Sequence, residues 1–345
     1  MANRYFMGGT SAKGFQTSFQ DIISEPGYFT YILKGGPGTG KSTLMKKIIE
    51  HFSGADMDMY YCSSDIKSLD AVVLREQRTI VVDGTAPHVF NADYPGISQS
   101  IVNLGAYWDR EKLAANEREI RVCFEANAGY HRRARSFVSA LSGVNDSILA
   151  SGKAALKSNE TASIAADLAS YLPDELKTGS CSYKQLGAIT TEGYITQEKA
   201  PELSEFGIHD PYYAASFEIL GQLKALLLKR GHDIIVSECH IFGQSRTEHI
   251  IVPGHSLQIS AVNPLNKLDF TMSLSCEELY SDLDSEETAR AFDIVGQLER
   301  ETADSIARAL EIHDRLESFY IDAQDFEKLD QVTQELIEEI EGRPW

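Results

Sequence analysis

The 345-residue sequence lacks any run of about eighteen apolar residues, so it predicts no membrane-spanning helix. Cysteine is scarce: the five cysteines are an odd number and form no CxxC pair, which argues against a zinc-cysteine site and a disulfide framework. The first fifteen residues, "MANRYFMGGTSAKGF", lack the apolar core of a signal peptide. These absences together predict a cytoplasmic protein with reduced thiols.

Basic residues are also few, because 32 Lys and Arg stand against 51 Asp and Glu, giving a net charge of −19. Residues 277 to 341 alone carry 21 acidic and five basic side chains. Nucleic-acid binding requires clustered Lys and Arg, so this composition argues against a nucleic-acid partner. The acidic stretch predicts a solvated helical surface, and docking onto a basic protein partner is the alternative.

A phosphate-binding motif is present in "LKGGPGTGKSTLMKKI", residues 33 to 48, where Gly35 is followed by four residues and then Gly-Lys-Ser. The preceding "YFTYILK", residues 28 to 34, has the composition of a buried strand. The following "STLMKKIIEHF", residues 42 to 52, repeats apolar residues at helical spacing. Strand, glycine-rich loop and helix are the context that a nucleotide-binding P-loop requires.

The chemistry of this motif assigns a role to each position. Glycines let the backbone aim N–H groups at phosphate oxygens, and the helix N-terminus favours the anion. Lys41 is expected to reach the β- and γ-phosphates, and the Ser42 hydroxyl to ligate Mg²⁺. The predicted nucleotide-binding residues are Gly35, Gly36, Pro37, Gly38, Thr39, Gly40, Lys41, Ser42 and Thr43.

Two acidic residues complete the predicted site. In "RTIVVDGTAPH", residues 78 to 88, Asp83 ends an apolar strand, where it would hold Mg²⁺ through water, or simply begin a turn. Asp65 follows a second strand, residues 57 to 62, and is a candidate base or water-positioning group, or part of a polar loop. The catalytic candidates are therefore Lys41, Asp83 and Asp65, and the magnesium ligands are Ser42 and Asp83.

Gly84 follows Asp83, where many ATP-hydrolysing proteins carry a glutamate that activates water. This difference favours slow hydrolysis or a kinase. A long loop, residues 84 to 105, is expected to order on nucleotide binding. His88 lies in this loop, where a structural role is favoured over a role as catalytic base.

The candidate arginines for a phosphate contact are grouped in a predicted helical region. A solvated basic helix face is the alternative interpretation for all of them. The candidates are Arg132, Arg133 and Arg135, with Arg118 and Arg121 weaker.

The chain repeats itself at offsets of 179, 177 and 168 residues. "GGTSAKGFQT" near the start resembles "GAITTEGYIT" at residues 187 to 196, and the helical tails also align. The second copy lacks the glycine motif: the alignment sets Glu218 opposite Lys41 and Ser260 opposite Asp83. "NKLD", residues 266 to 269, lies in this copy, so we interpret it as coincidence and predict ATP rather than GTP.

The sequence therefore predicts an α/β protein of two tandem P-loop-NTPase-like domains with mostly parallel sheets, each with a helical C-terminal extension. The predicted domains are residues 1–176, which bind nucleotide, and residues 184–345, a degenerate copy with an acidic tail. Helices are expected over residues 109–172 and 285–341, packed on their own sheet or on each other.

Residues 35 to 43 and Asp83 resemble the P-loop NTPase superfamily. The whole chain is similar to an uncharacterised bacterial family with two tandem P-loop-like halves, labelled ATPases or nucleotide kinases. "GGTSAKGF", "YYCSSD", "VVDGTAPH" and the C-terminal helical segment carry that resemblance. It implies two α/β halves and a bound nucleotide, but no substrate.

Three functions follow from these features. The first is a slow Mg-ATPase that couples nucleotide state to a rearrangement of the two halves. The second is a kinase for a small molecule or nucleotide, and the third is a nucleotide sensor without turnover. A homo-oligomer or a protein partner is compatible with each function. If the nucleotide site lacks an arginine of its own, another chain or the second half is expected to supply it.

Overall fold

The computed structural model describes residues 2–85, 89–197, 202–281 and 285–343. These residues form an α/β protein with sixteen strands and eight α-helices. The strands are β1 (Ala2–Phe6), β2 (Gly8–Ser11), β3 (Gly14–Thr17), β4 (Phe29–Lys34), β5 (Met57–Tyr61), β6 (Leu69–Leu74), β7 (Thr79–Asp83), β8 (Gln99–Asn103), β9 (Cys181–Tyr183), β10 (Gly187–Thr190), β11 (Gly193–Thr196), β12 (Ser204–His209), β13 (Ile234–Cys239), β14 (Arg246–Val252), β15 (Leu257–Val262) and β16 (Ser273–Ser275). The helices are α1 (Phe19–Ile23), α2 (Lys41–His51), α3 (Arg110–Ala115), α4 (Glu117–Ala155), α5 (Ser158–Ser170), α6 (Ala214–Lys229), α7 (Ser285–Ile321) and α8 (Phe326–Gly342).

The chain divides into two compact units. Unit 1 contains segments 1–8, 17–133 and 304–345, and unit 2 contains segments 9–16 and 134–303. Helices α4 and α7 therefore contribute residues to both units. No helix among the described residues is long and apolar enough to cross a membrane.

The sheet of unit 1 has the strand order β1-β5-β6-β7-β4-β8. Three neighbouring pairs are parallel, and the β5-β6 and β6-β7 pairs are antiparallel. The strands predicted at 28–34, 57–62 and 79–82 are present as β4, β5 and β7. Strand β6 was not predicted, because its short apolar run has no alternation that distinguishes a buried strand from a helix segment.

The predicted loop over residues 84–105 is wrong in part, because residues 99–103 form β8, a strand parallel to β4. Its five residues, "QSIVN", are too few for a clear strand signature. Within the predicted loop, only the described residues before β8 lack a helix or strand. His88 lies outside the described residues.

The sheet of unit 2 has the order β16-β12-β15-β14-β13-β9. Its sequence of parallel and antiparallel pairs, read from β16, is the same as that of unit 1 read from β8. In each sheet the strand next to one edge, β4 or β12, is followed along the chain by one helix, α2 or α6. Two repeated halves were predicted, and the two sheets share this topology.

The helical tails were expected to pack on their own sheet or on each other. Packing on each other is found for α4 and α7, which share a cluster of Ile120, Cys123 and Leu316. The last helix of each tail, α5 or α8, instead packs on the sheet of the other predicted segment. Helix α8 supplies Leu329, Leu336, Ile337 and Ile340 to the core of unit 1, beside α2. Helix α5 supplies Ala165 and Ala169 to the core of unit 2, beside α6. The compact units consequently differ from the predicted segments 1–176 and 184–345. The apolar stripes of these helices were readable, but a stripe does not specify which sheet covers it.

Candidate functional site

The glycine loop, which we define as residues 35–40, joins β4 directly to α2. Gly38 and Gly40 have φ angles of +68° and +79°, in the left-handed region that favours glycine. The Thr39 hydroxyl donates a hydrogen bond of 2.8 Å to the Gly36 carbonyl and closes the turn. The predicted order of strand, loop and helix is therefore present at residues 29–51.

Lys41 is the first residue of α2, and its side chain folds back into the glycine loop. The ammonium donates to the carbonyls of Gly36 at 2.8 Å and Gly35 at 3.1 Å. It also lies 3.6 Å from Oδ2 of Asp83, and the two side chains are only 10% and 18% exposed. The structure thus brings together two of the three predicted catalytic residues.

Asp83 reaches this position because β7 runs parallel to β4, with Asp83 opposite Leu33. The carboxyl ends of parallel strands meet at one sheet edge, where ligands of α/β proteins bind. The Oδ1 atom of Asp83 accepts hydrogen bonds from the backbone N–H of Thr85 at 2.9 Å and from its hydroxyl at 2.5 Å. These bonds fix the carboxylate, and Oδ2 faces Lys41.

Ser42 contacts the end of the connection that contains Asp65, and no hydrogen bond between the two side chains is seen among the described residues. The Ser42 hydroxyl accepts a 3.0 Å hydrogen bond from the backbone N–H of Leu69, which brings the 62–68 connection to the start of α2. Asp65 belongs to that connection, and its Oδ1 accepts from the Lys67 N–H at 3.1 Å. Asp65 therefore stabilises its own turn, and its role as a base stays a prediction.

Gly84 has a steric reason to be glycine. A Cβ atom at this residue would lie 2.4 Å from Cγ2 of Ile32 on β4. The position where many ATP-hydrolysing P-loop proteins carry a glutamate therefore has no room for a side chain in this chain. The neighbouring Lys34 donates to the carbonyls of Gly84, at 2.6 Å, and Phe90, and its partial burial lowers the pKa of the ammonium. Sequence reasoning missed Lys34, although a lysine at the end of an apolar strand was a readable signal.

The second group that sequence reasoning missed covers the glycine loop from α7 and α8. Oε1 of Glu317 accepts a 3.1 Å hydrogen bond from the Gly38 N–H. A Cβ atom on Gly36 would lie 3.0 Å from the Tyr320 ring, and one on Gly40 would lie 2.5 Å from Leu329. The loop glycines therefore admit close packing of these helices, which explains part of the glycine pattern without any ligand. About 280 residues separate the partners, and no local signal linked them.

The Glu317 contact also tests whether the loop fits an anion. A carboxylate at a backbone N–H next to a helix N-terminus is stabilised by the same N–H dipoles that hold a phosphate. The loop amide thus already holds an anionic oxygen of this chain. The donor set of the loop, with Lys41 beside it, fits a phosphate group, and Ser42 and Asp83 supply oxygen ligands of the kind that Mg²⁺ takes.

The arginine candidates lie along α4. Arg118, Arg121, Arg132 and Arg133 in unit 1 have exposed side chains, and Arg121 pairs with Glu117 at 2.7 Å. Arg135, in the part of α4 that belongs to unit 2, is exposed as well. This arrangement is that of a solvated helix face, and a contact with phosphate stays a prediction for each.

The corresponding connection in unit 2 is built differently. Only residues 210–213 separate β12 from α6, and α6 begins at Ala214, so Glu218 lies one helical turn beyond the position of Lys41. The predicted pairing of Lys41 with Glu218 is therefore wrong by about one turn.

The carboxylate of Asp210 occupies this helix N-terminus in unit 2. It is buried, with 1% exposure, and accepts from the Ser216 N–H at 2.7 Å, the Tyr212 N–H at 3.0 Å and the Tyr280 hydroxyl at 2.6 Å. A side chain of the protein thus satisfies two backbone N–H donors at the start of this helix.

Comparison of the chain with family models, curated proteins and solved structures finds no match. The resemblance to P-loop NTPases and to a two-domain bacterial family stays a prediction, carried by the residues and geometry described above.

Proposed function

We propose that unit 1 binds Mg-ATP at the glycine loop and hydrolyses it slowly, as a P-loop ATPase whose nucleotide state changes the position of the C-terminal helices. The observation that carries this proposal is the position of Lys41, which lies 3.6 Å from Asp83 at the start of α2. A cation from the loop and a carboxylate from the adjacent parallel strand are the two charges that P-loop NTPases use for phosphate and for Mg²⁺.

Binding requires an exchange of contacts. In the proposed complex, phosphate oxygens take the Gly38 N–H in place of Glu317, and Lys41 leaves the carbonyls of Gly35 and Gly36 to contact the β- and γ-phosphates. Bound Mg²⁺ would neutralise charge on the phosphates, with Ser42 and Asp83 as its protein-side ligands. The Lys41 ammonium would then stabilise charge on the transferring phosphoryl group.

The exchange is also the proposed coupling. Glu317 and Tyr320 lie near the C-terminal end of α7, and the N-terminal part of the same helix belongs to unit 2. A ligand shifts a conformational equilibrium only through different affinities for the two states. Here the difference is the competition between the triphosphate and the Glu317 carboxylate for one N–H group.

Slow turnover follows from Gly84. Its backbone lies against Ile32, so the position adjacent to Asp83 offers no carboxylate to activate water. This steric restriction supports a low hydrolysis rate, and also suits a kinase, in which a substrate hydroxyl replaces water. A non-enzymatic sensor would use the same binding step without turnover.

The test is equilibrium binding of a non-hydrolysable ATP analogue with and without Mg²⁺, in wild type, Ser42→Ala and Asp83→Asn. Magnesium-dependent tightening that both variants lose supports the proposal, and absence of binding by wild type overturns it. Product analysis then separates the functions. Phosphate release without an added acceptor indicates an ATPase, ATP use only with a metabolite indicates a kinase, and binding without turnover indicates a sensor.

A further inference from the structure

Three side chains that no nucleotide chemistry uses converge at one place in unit 2. Glu175 lies between α5 and β9, His232 follows α6, and His255 lies in the short turn between β14 and β15. Their ligand atoms all lie within 4.8 Å of one another. The cluster was not predicted from the sequence, because its members are far apart along the chain.

Two of the three distances within this cluster are close to those between the ligands of a tetrahedral metal, and the two histidine nitrogens lie within 4.8 Å of each other. Oε1 of Glu175 lies 3.0 Å from Nδ1 of His232 and 3.4 Å from Nε2 of His255. Zinc ligands at about 2.0–2.1 Å from the ion are about 3.3 Å from one another when the geometry is tetrahedral. One ion can therefore contact all three atoms with small side-chain adjustments.

A second observation points to a ligand. The Nε2 atom of His255 is buried and, apart from its 3.4 Å approach to Oε1 of Glu175, makes no hydrogen bond among the described residues. A buried polar atom without a hydrogen bond requires an explanation. A metal ion bound by the cluster would explain the Nε2 atom of His255. The buried Nε2 of His232 also lacks a partner, and a metal on Nδ1 does not account for it.

The surroundings hold the ligands in place. The backbone N–H of Glu175 donates to the Arg230 carbonyl at 2.9 Å, and a Cβ atom on Gly231 would lie 2.6 Å from the Glu175 carbonyl oxygen. Lys177 pairs with the other carboxylate oxygen of Glu175, Oε2, at 3.1 Å. This ion pair orients the carboxylate so that Oε1 faces the histidines, a supporting role that is common around metal ligands.

We propose that Glu175, His232 and His255 form a Zn²⁺ site. Two imidazole nitrogens and one carboxylate oxygen favour zinc over Mg²⁺ or Ca²⁺, which prefer oxygen ligands alone. His232 is fully buried, whereas Glu175 and His255 are 30% and 23% exposed, so the outer side leaves a fourth position for water. The ion would link the end of α5, the end of α6 and the β14–β15 turn, and would stabilise unit 2.

The test is calorimetric titration of the full chain with Zn²⁺ after treatment with a chelator. Wild type is expected to bind one ion, and His255→Gln and Glu175→Gln to lose at least tenfold in affinity, since even supporting groups cost about 10–100-fold. The matched control is His313→Gln, from the cluster of His313, Asp314 and Glu317 on α7, which should bind zinc as wild type does. Circular dichroism of the metal-free variants establishes that they are folded.

Replacement of Zn²⁺ by Co²⁺ should give the strong visible absorption of a tetrahedral site in wild type and in His313→Gln only. Absence of zinc binding by wild type, or unchanged affinity in both His255→Gln and Glu175→Gln, overturns the proposal. Loss of binding in His313→Gln instead would place the metal on α7 and overturn it too. None of these outcomes depends on nucleotide binding, because the three ligands lie in unit 2.

Discussion

Substitution of Glu317 by glutamine should tighten nucleotide binding. Its carboxylate accepts a hydrogen bond from Gly38, the amide that we assign to a phosphate oxygen. A hydrogen bond to a charged group contributes about 1.5–3 kcal/mol when buried. The Glu317 side chain is 35% exposed, and solvent screening reduces this contribution to about 1–2 kcal/mol. Glutamine keeps the length and helix propensity of glutamate but removes the charge.

A triphosphate that no longer competes with this carboxylate should bind about 5- to 30-fold more tightly, the factor that corresponds to 1–2 kcal/mol. Calorimetric titration with a non-hydrolysable ATP analogue and Mg²⁺ measures the change. The matched control is Glu311→Gln, which removes the same charge from the same helix, where Glu311 pairs with Arg308 at 2.9 Å. An unchanged affinity for Glu317→Gln, or an equal gain in both variants, would refute the competition between Glu317 and phosphate.

Gly40→Ala should lower the free energy of unfolding in urea denaturation by about 1–3 kcal/mol or more, because of the positive φ angle and the 2.5 Å approach to a leucine. Gly143→Ala, with open space around it inside α4, should instead raise the free energy of unfolding by up to about 1 kcal/mol. Asp210→Asn should destabilise the protein by about 1–3 kcal/mol in the same assay, because it weakens three hydrogen bonds that a buried carboxylate accepts. Alkylation at pH 8 should modify the partly exposed Cys181 and spare the buried Cys239. Burial raises the pKa of the Cys239 thiol to about 12 and so suppresses its reactive thiolate. Equal labelling of the two cysteines would contradict this prediction.

Short-range sequence patterns were sufficient to predict β4, α2 and β7. The apolar run before Gly35 and the helical repeat after Lys41 predicted β4 and α2 to within one residue. The strand that ends at Asp83 was predicted as well, and its place beside β4 follows from parallel pairing. Such elements are specified by short stretches of sequence, in which burial and glycine conformation act over a few residues.

Features that depend on distant partners were not predicted. Glu317 is an ordinary acidic residue in a helical repeat, and only tertiary packing brings it to Gly38. The packing of α8 in the core of unit 1 and of α5 in the core of unit 2 has the same origin, because an apolar stripe read from the sequence does not specify which sheet covers it. The alignment of the two halves of the sequence did not reveal the role of Asp210. The connection between β12 and α6 is shorter than the glycine loop, and this difference in length shifts the alignment around Asp210.

The central claim is that Lys41 acts on a transferring phosphoryl group. Steady-state phosphate release from Mg-ATP should be compared in wild type, Lys41→Ala and Lys46→Ala. Lys46 is an exposed lysine on the same helix, so its loss changes the net charge equally without touching the loop. Slow release by wild type and by Lys46→Ala, with a loss of roughly 100-fold or more in Lys41→Ala, is the predicted result. Equal release by all three proteins would contradict it and would assign the glycine loop to packing against the C-terminal helices alone.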